Sequence, residues 1–160
     1  MDVSSSKAEV RRLEEEDLPA VEGLLKDLAE VSSSTSSFAL EDLALLFREM
    51  SVLPEVYLNL VAVADGDVVG FISLIFYKTL FHKGGTALIN ELVVSSKKRG
   101  LGIGGLLVTA AKEAALARGM DELEVGTERT NTLAQAFYRK CGFDEEYVLL
   151  GMEFHLSTGP

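Results

Sequence analysis

Several residue types are rare in the sequence: it has no tryptophan, three prolines, two histidines and one cysteine among 160 residues. A single cysteine, Cys141, excludes an internal disulfide. The spacing of the histidines and acidic residues does not resemble a metal site, so no metal is predicted. The sequence also lacks an apolar run of bilayer length and a signal-peptide pattern in its polar start MDVSSSKAEV. These absences predict a soluble, cytoplasmic protein.

Positive charge is scarce as well. Fifteen Lys and Arg residues against 25 Asp and Glu residues give a formal net charge of −10 at pH 7. Nucleic acids and anionic membranes bind basic surfaces, so neither is predicted as a partner. An acidic surface suits a cationic partner, although acidity often serves solubility alone. The length and the 48% apolar content predict one domain, residues 1–160, with a single core.

Strand and helix patterns are interleaved in the first half of the chain. Residues 8–13 predict a short strand, and Asp17 is expected to cap the helix that follows. A polar loop is predicted at 32–37, and a second helix at about 40–50. Two β-rich runs joined at Asp65-Gly66 then predict an antiparallel hairpin.

The second half continues the alternation. Residues 86–94, TALINELVV, predict a strand that is apolar on both faces and therefore lies inside a sheet. A helix is predicted at 103–119, a strand at 121–127 and a helix at 131–141. The tail YVLLGMEFHL is expected to add a last strand. The chain is thus predicted to have an α/β fold with a mixed sheet.

The stretch SSKKRGLGIGGLL, residues 95–107, places three cations before a glycine-rich helix start. Glycines allow close approach and the first amides of a helix attract anions, so a phosphate group is the predicted ligand. The stretch satisfies the dinucleotide pattern G-x-G-x-x-G. However, five polar or charged residues separate it from the strand, and too little chain follows for that fold. A triphosphatase loop is excluded because Leu106 and Leu107 stand where Lys and Ser/Thr are required.

This loop and a second motif carry a resemblance to a known family. Arg99-Gly100-Leu101-Gly102-Ile103-Gly104 matches the Arg/Gln-x-x-Gly-x-Gly/Ala pattern of the GNAT superfamily of acyl-CoA N-acetyltransferases. NTLAQAFYRKCGF, residues 131–143, resembles its Asn-x-x-Ala, aromatic-Tyr and Gly-Phe ending. The resemblance implies a mixed, mostly antiparallel central sheet of about six to seven strands with helices on both faces.

The resemblance also implies acetyl-CoA as co-substrate. The glycine loop would hold its pyrophosphate, and the strand ending at Val94 would splay from the strand at 121–127 to admit the pantetheine arm. Asn131 is equally consistent with a plain helix cap, and Leu92-Val93-Val94 with a core strand. The implied coenzyme contacts are Leu92, Val93, Val94, Arg99, Gly100, Leu101, Gly102, Ile103, Gly104, Gly105, Asn131 and Tyr138.

Two catalytic residues are predicted. Tyr138 matches the family's acid for the leaving thiolate, although it could instead pack its helix with the hydroxyl at the rim. Asn90 occupies a position where one polyamine-acetylating branch carries a glutamate, and an amide cannot serve as a base. Glu91 could be the base if a bulge turns it from the opposite face of the strand, but a structural role is as consistent with the sequence. His82 is a further candidate.

These features predict an N-acetyltransferase that moves an acetyl group from acetyl-CoA to a primary amine by direct attack in a ternary complex. The alternative is a non-catalytic acyl-CoA-binding sensor of the same fold, because position 90 carries no acid. The acceptor is expected among residues 32–56 and 79–85. A small-molecule or peptide amine, such as a polyamine, an aminoglycoside or a lysine, would suit the acidic chain. Homodimers are common in the superfamily, and the tail strand would be free to pair with a second copy.

Overall fold

The structure, a computed structural model of the chain, describes residues 7–31 and 39–154. The loop predicted at 32–37 lies outside the described residues. The strands are β1 (Glu9–Arg12), β2 (Tyr57–Ala64), β3 (Asp67–Tyr77), β4 (Thr86–Val94) and β5 (Glu122–Val125). The α-helices are α1 (Leu18–Val31), α2 (Leu40–Ser51), α3 (Ile103–Ala117) and α4 (Thr132–Lys140). None of the described helices is long and apolar enough to span a membrane.

One sheet organises these elements in the order β1-β2-β3-β4-β5. The first three pairings are antiparallel, and β4 pairs with β5 in parallel. The predicted hairpin is confirmed: Asp65 and Gly66 have φ values of 56° and 85°, as a tight turn between β2 and β3 requires. The mixed, mostly antiparallel α/β fold is therefore confirmed, with five strands in the described residues rather than six to seven.

Helices cover both faces of the sheet, as predicted. Strand alternation sends Ile72 and Leu74 into the core beneath α3, where Leu107 is fully buried. The opposite face carries Val61 and Phe71, which pack with the apolar side of α1. Each face thus buries its own cluster, and β4, between β3 and β5, contributes to both.

The prediction of a last strand in the tail is wrong within the described residues. Residues 144–154 have no regular secondary structure. The tail passes beside β5, where the Tyr147 hydroxyl donates to Glu122 at 3.0 Å. A strand requires a ladder of backbone hydrogen bonds to a neighbour, and the four-residue β5 gains none from the tail. The apolar side chains of the tail remain exposed: Tyr147, Val148, Leu149, Leu150, Met152 and Phe154.

The prediction that Asp17 is the cap residue of the first helix is wrong in position: Glu14 is the N-cap, and Asp17 completes its capping box from the N3 position. A single 3₁₀ turn, Glu15–Asp17, precedes α1. The buried Asp17 carboxylate accepts two hydrogen bonds from the Arg11 guanidinium, at 2.6 and 2.9 Å, and one from the Glu14 amide. The hydrogen bond from Arg11 lowers the pKa of Asp17 below its ordinary value. Asp17 therefore fastens β1 to the start of α1.

We expect Asp17→Ala to lower the free energy of unfolding by about 2 kcal/mol, because the charge-assisted bonds to Arg11 are lost from a buried position. Since the folded-state pKa is the lower one, this contribution is present above the unfolded pKa and disappears as pH falls through the folded pKa. Urea denaturation at pH 7 and at acidic pH measures both effects. Glu22→Ala, which breaks the more exposed Lys26–Glu22 pair on α1, should cost less than about 0.5 kcal/mol.

Candidate functional site

The glycine loop between β4 and α3 presents open backbone. Gly100 and Gly102 adopt φ values of 77° and 80°, which side chains rarely tolerate, and a Cβ built on either would meet nothing within 4 Å. Among the described residues, no side chain caps α3 at Gly102, so the first amides of this helix lack a side-chain acceptor. An anion could approach this backbone closely.

The three cations before the loop do not all face outward. Lys98 pairs with Asp65 of the β2–β3 turn at 3.5 Å, and the Arg99 Nε donates to the Val94 carbonyl at 3.3 Å. Lys97 is exposed. The loop thus keeps positive charge nearby, while Arg99 occupies one acceptor of a backbone group that was predicted to contact the coenzyme.

One edge of β4 is open. Its pairing with β5 runs from Thr86↔Glu122 to Ile89↔Val125 and stops there. Residues 90–94 have no strand on that side in the part of the chain that the structure describes. The side chain of Val93 is buried on the face of the sheet that α1 covers. Those of Leu92 and Val94 pack on the opposite face, toward α3. The slot that the resemblance implies between β4 and β5 would open at this edge, where β4 presents backbone groups.

A β-bulge at Asn90 decides which way Glu91 points. Ser73 pairs with Glu91 and Leu74 with Ile89, so Asn90 has no partner on β3. Without the extra residue, Glu91 would share the α3 face with Ala87 and Ile89. The bulge reverses the alternation, and Glu91 faces α1 and α2 instead. Of the two orientations that the sequence left open, the structure has the bulged one.

The Glu91 carboxylate is held by two neighbours. It accepts a hydrogen bond from the Ser73 hydroxyl and a second, at 2.8 Å, from the Asn90 amide nitrogen. The backbone amide of Glu91 also donates to the Ser73 oxygen at 3.2 Å. Ser73 itself is buried, at 6% exposure. Asn90, which cannot be a base, thus fixes the orientation of the residue that can.

Glu91 and Ser73 line a cavity of about 430 Å³ between the sheet and helices α1 and α2, here named the α1–α2 cavity. Asn59 is the third polar side chain in its wall, and most of the rest is aliphatic or aromatic. Sequence reasoning missed Ser73 and Asn59. The signal was there, because each is a lone polar residue in an otherwise apolar strand run, VVGFISLIF and LNLVAVA.

Helix α4, which carries Tyr138, approaches the start of α3 through Phe137. Phe137 lies so close to Gly104 that a Cβ there would sit 3.0 Å from the ring, and Val94 lies 3.8 Å from the same point. Tyr138 packs edge-to-face with Phe137 and Phe143, with ring centroids 5.1 and 5.6 Å apart. The absence of a side chain at Gly104 therefore lets Phe137 of α4 pack closely against the start of α3.

Burial in this aromatic cluster raises the pKa of Tyr138 to about 12, and the nearby Cys141 adds to the effect. The hydroxyl is therefore protonated at neutral pH. Asn131 caps α4, accepting the Ala134 amide at 3.1 Å, so its cap role is present and a coenzyme contact stays a prediction.

His82 lies at the other end of β4. Its Nε2 is 2.9 Å from Glu122 and its Nδ1 is 3.6 Å from Asp121, at the start of β5. This position separates it by the length of the strand from the glycine loop. Cys141 is half-buried, and burial raises the pKa of its thiol. Among residues 7–31 and 39–154, no cluster of three His, Cys, Asp or Glu side chains is placed to hold a metal ion.

Solved structures share this architecture. The glucosamine-6-phosphate N-acetyltransferase of Arabidopsis thaliana superposes with a TM-score of 0.77 at 21% identity, covering 93% of this chain and 99% of that one. An aminoglycoside N-acetyltransferase solved in complex with CoA superposes with a TM-score of 0.79 at 19% identity, covering 98% and 100%. At such identities the likeness shows the fold alone.

Sequence comparison identifies the family. A curated relative, the aminoalkylphosphonate N-acetyltransferase of Salmonella typhimurium, is 35% identical over 94 residues, which cover 59% of this chain and 60% of that protein. The matched part is thus less than two thirds of the relative's length. The sequence model of the Acetyltransferase (GNAT) family matches residues 18–143, which include the glycine loop, the bulge and α4. The chain therefore belongs to the GNAT family of acetyltransferases.

Proposed function

We propose that the protein transfers the acetyl group of acetyl-CoA to a primary amine by direct attack in a ternary complex. The observation that carries the proposal is the position of Glu91. The bulge in β4 points the Glu91 carboxylate into the α1–α2 cavity. This position lies beside the open edge of β4, the strand that leads to the glycine loop. Named relatives and neighbours act on aminoalkylphosphonates, glucosamine-6-phosphate and aminoglycosides, which are all amines.

The residues present fit coenzyme A. Its pyrophosphate requires backbone donors without obstructing Cβ atoms, and Gly100 and Gly102 leave that space open. When bound, acetyl-CoA supplies the activated acetyl thioester. The backbone of Leu92 and Val94 borders the open edge of β4, where it can hold an extended amide-bearing arm and polarise a carbonyl. The Arg99 contact to Val94 leaves one lone pair of that carbonyl free.

Each catalytic group has one task in this proposal. Glu91 accepts the proton that the amine loses as it forms the new C–N bond, while Ser73 and Asn90 keep the carboxylate in place. Tyr138 donates to the sulfur as the C–S bond breaks. With a pKa of about 12, Tyr138 is a weaker acid than an alkyl thiol of about 8.5. It is therefore expected to stabilise the thiolate chiefly as a hydrogen-bond donor.

We expect Gly102→Val to raise the Kd for acetyl-CoA by about 30-fold, or roughly 2 kcal/mol, because the side chain would block the backbone approach and leave buried polar groups unpaired. Calorimetric titration measures the change. The matched control is Gly66→Val in the β2–β3 turn: Gly66 also has a positive φ, 85°, and open space at the Cβ position. Both variants carry the same backbone strain, so an equal loss of affinity in the two would contradict the assignment of the loop.

The test of the function is acetyl-CoA-dependent release of free thiol across a panel of amines, with the acetylated product identified by mass spectrometry. Polyamines, aminoglycosides, amino acids, alkylamines and peptides with free amines form the panel. Product from one class of amine establishes the transferase. Tight binding of acetyl-CoA without product from any amine would instead favour the acyl-CoA-binding sensor.

A further inference from the structure

The α1–α2 cavity has one polar wall and several apolar ones. Glu91, Ser73 and Asn59 lie on the sheet side, and the Asn59 amide donates to the Met50 sulfur at 3.4 Å. Glu91 is the one ionisable side chain among the described residues that line the cavity. Most of the remaining lining residues lie on α1, α2 and β3, and they include Leu25, Leu28, Leu43, Leu46, Phe47 and Phe71.

The cavity has the size and access of a ligand site. Its volume of about 430 Å³ lies within the range of small-molecule pockets and exceeds what an imperfectly packed core leaves empty. Leu46 lines it and is nevertheless 46% exposed, as is expected where α2 borders an opening to solvent. An apolar surface open to water favours an apolar occupant.

The carboxylate fixes which end of that occupant faces the sheet. Glu91 stands in the cavity wall on β4, and the open edge of β4 begins at the neighbouring bulge. An amine bound at Glu91 therefore lies beside the proposed position of the thioester. The rest of the same molecule must then extend between α1 and α2, where it meets aliphatic and aromatic side chains.

We propose that the acceptor is a monoamine with an apolar alkyl or aryl body, whose amine binds at Glu91 and whose body fills the α1–α2 cavity. This inference rests on the proposed acetyl transfer and names the substrate class. It departs from the expectation, drawn from net charge alone, of a polyamine or an aminoglycoside. A second ammonium or a ring of hydroxyls would be buried against Leu and Phe side chains, and the described residues of these walls offer it no polar partner, which is costly.

A matched pair of amines tests whether the cavity prefers an acceptor with an apolar body. Hexylamine and 1,6-diaminohexane have the same length and differ in the second amine. Calorimetric titration into the unaltered protein saturated with CoA, which carries no acetyl group, measures binding without turnover. We expect at least tenfold tighter binding of hexylamine. Lengthening butylamine to hexylamine should lower Kd about 15-fold, at about fourfold per buried methylene.

A cavity-filling variant tests the location. Ala29 of α1 lines the cavity, and Ala29→Phe would occupy part of it. Ala117→Phe is the matched control, since Ala117 is exposed in the last turn of α3. We expect Ala29→Phe to raise the Kd for hexylamine at least tenfold and the control to leave it unchanged. Because the protein has no tryptophan, the indole fluorescence of tryptamine gives a second binding signal without tryptophan background from the protein.

The outcomes separate this inference from the proposed function. Preferred binding of hexylamine that Ala29→Phe weakens supports the inference even where no acetyl product forms, and that lack of product would contradict the transferase alone. Acetylation of 1,6-diaminohexane or an aminoglycoside in preference to hexylamine would overturn the inference while supporting the transferase. Equal binding of the two matched amines, or no effect of Ala29→Phe in a variant that melts as the control does, would also overturn it.

Discussion

Glu91→Gln is expected to lower kcat by about 10²- to 10⁴-fold, with little change in the Kd for acetyl-CoA. The amide keeps the size of the side chain and can still occupy the space beside Ser73 and Asn90. It cannot take a proton from the amine as the new bond forms. The loss corresponds to about 3–5 kcal/mol of transition-state stabilisation, which makes this the largest effect of a single substitution that we expect.

The measurement is steady-state kinetics with the best acceptor, together with calorimetric binding of acetyl-CoA. Glu113→Gln is the matched control, because it removes the same charge from an exposed position on α3 and should leave kcat unchanged. A Glu91→Gln variant that folds, binds acetyl-CoA and turns over at the original rate would exclude Glu91 as the base. Proton removal would then fall to water.

Tyr138→Phe is expected to lower kcat about 100-fold while the Kd for acetyl-CoA changes little. The phenylalanine ring preserves the edge-to-face packing with Phe137 and Phe143, so the helix contact should survive. The hydroxyl is lost, and with it the donor that the proposal assigns to the departing sulfur. Removing one preorganised donor to a developing charge typically costs 10²- to 10³-fold in rate.

Tyr147→Phe provides the comparison, because it removes a hydroxyl that binds Glu122 at the exposed surface. Its kcat should match that of the unaltered protein. The raised pKa of Tyr138, about 12, adds a second observable: the hydroxyl remains protonated through pH 10, so no loss of kcat from its ionisation is expected below about pH 11. Unchanged turnover in Tyr138→Phe would remove the residue from the mechanism.

Much of the fold could be predicted from local patterns. The Asp65-Gly66 turn and the strand at 86–94 were both predicted at the correct positions. In each case the residues of the segment themselves favour the backbone conformation that the segment adopts. The tail was predicted wrongly for the same reason. Its β-rich composition gives the propensity for a strand, but a strand also needs a partner, and β5 offers it no ladder within the described residues.

The backbone of the candidate site, too, could be predicted where local sequence determines it, and a side chain's role could not be predicted where a distant partner determines it. The glycine loop was predictable because positive φ values at Gly100 and Gly102 are a property of the residues themselves. Asp17 was misassigned because its partner, Arg11, lies six residues away on another element. A capping preference describes only the residues next to a helix end. The stronger, charged partner became apparent only once β1 and the start of α1 were placed together.

The sequence by itself determined the family motifs, the order of helices and strands and the backbone of the glycine loop, since all of these follow from neighbouring residues. Tertiary structure decided the direction of Glu91 and the apolar character of the α1–α2 cavity. The bulge at Asn90 exists only in the register between β3 and β4, and the apolar walls meet only when α1 and α2 pack on the sheet. Both depend on pairings between residues distant along the chain, which no local pattern records.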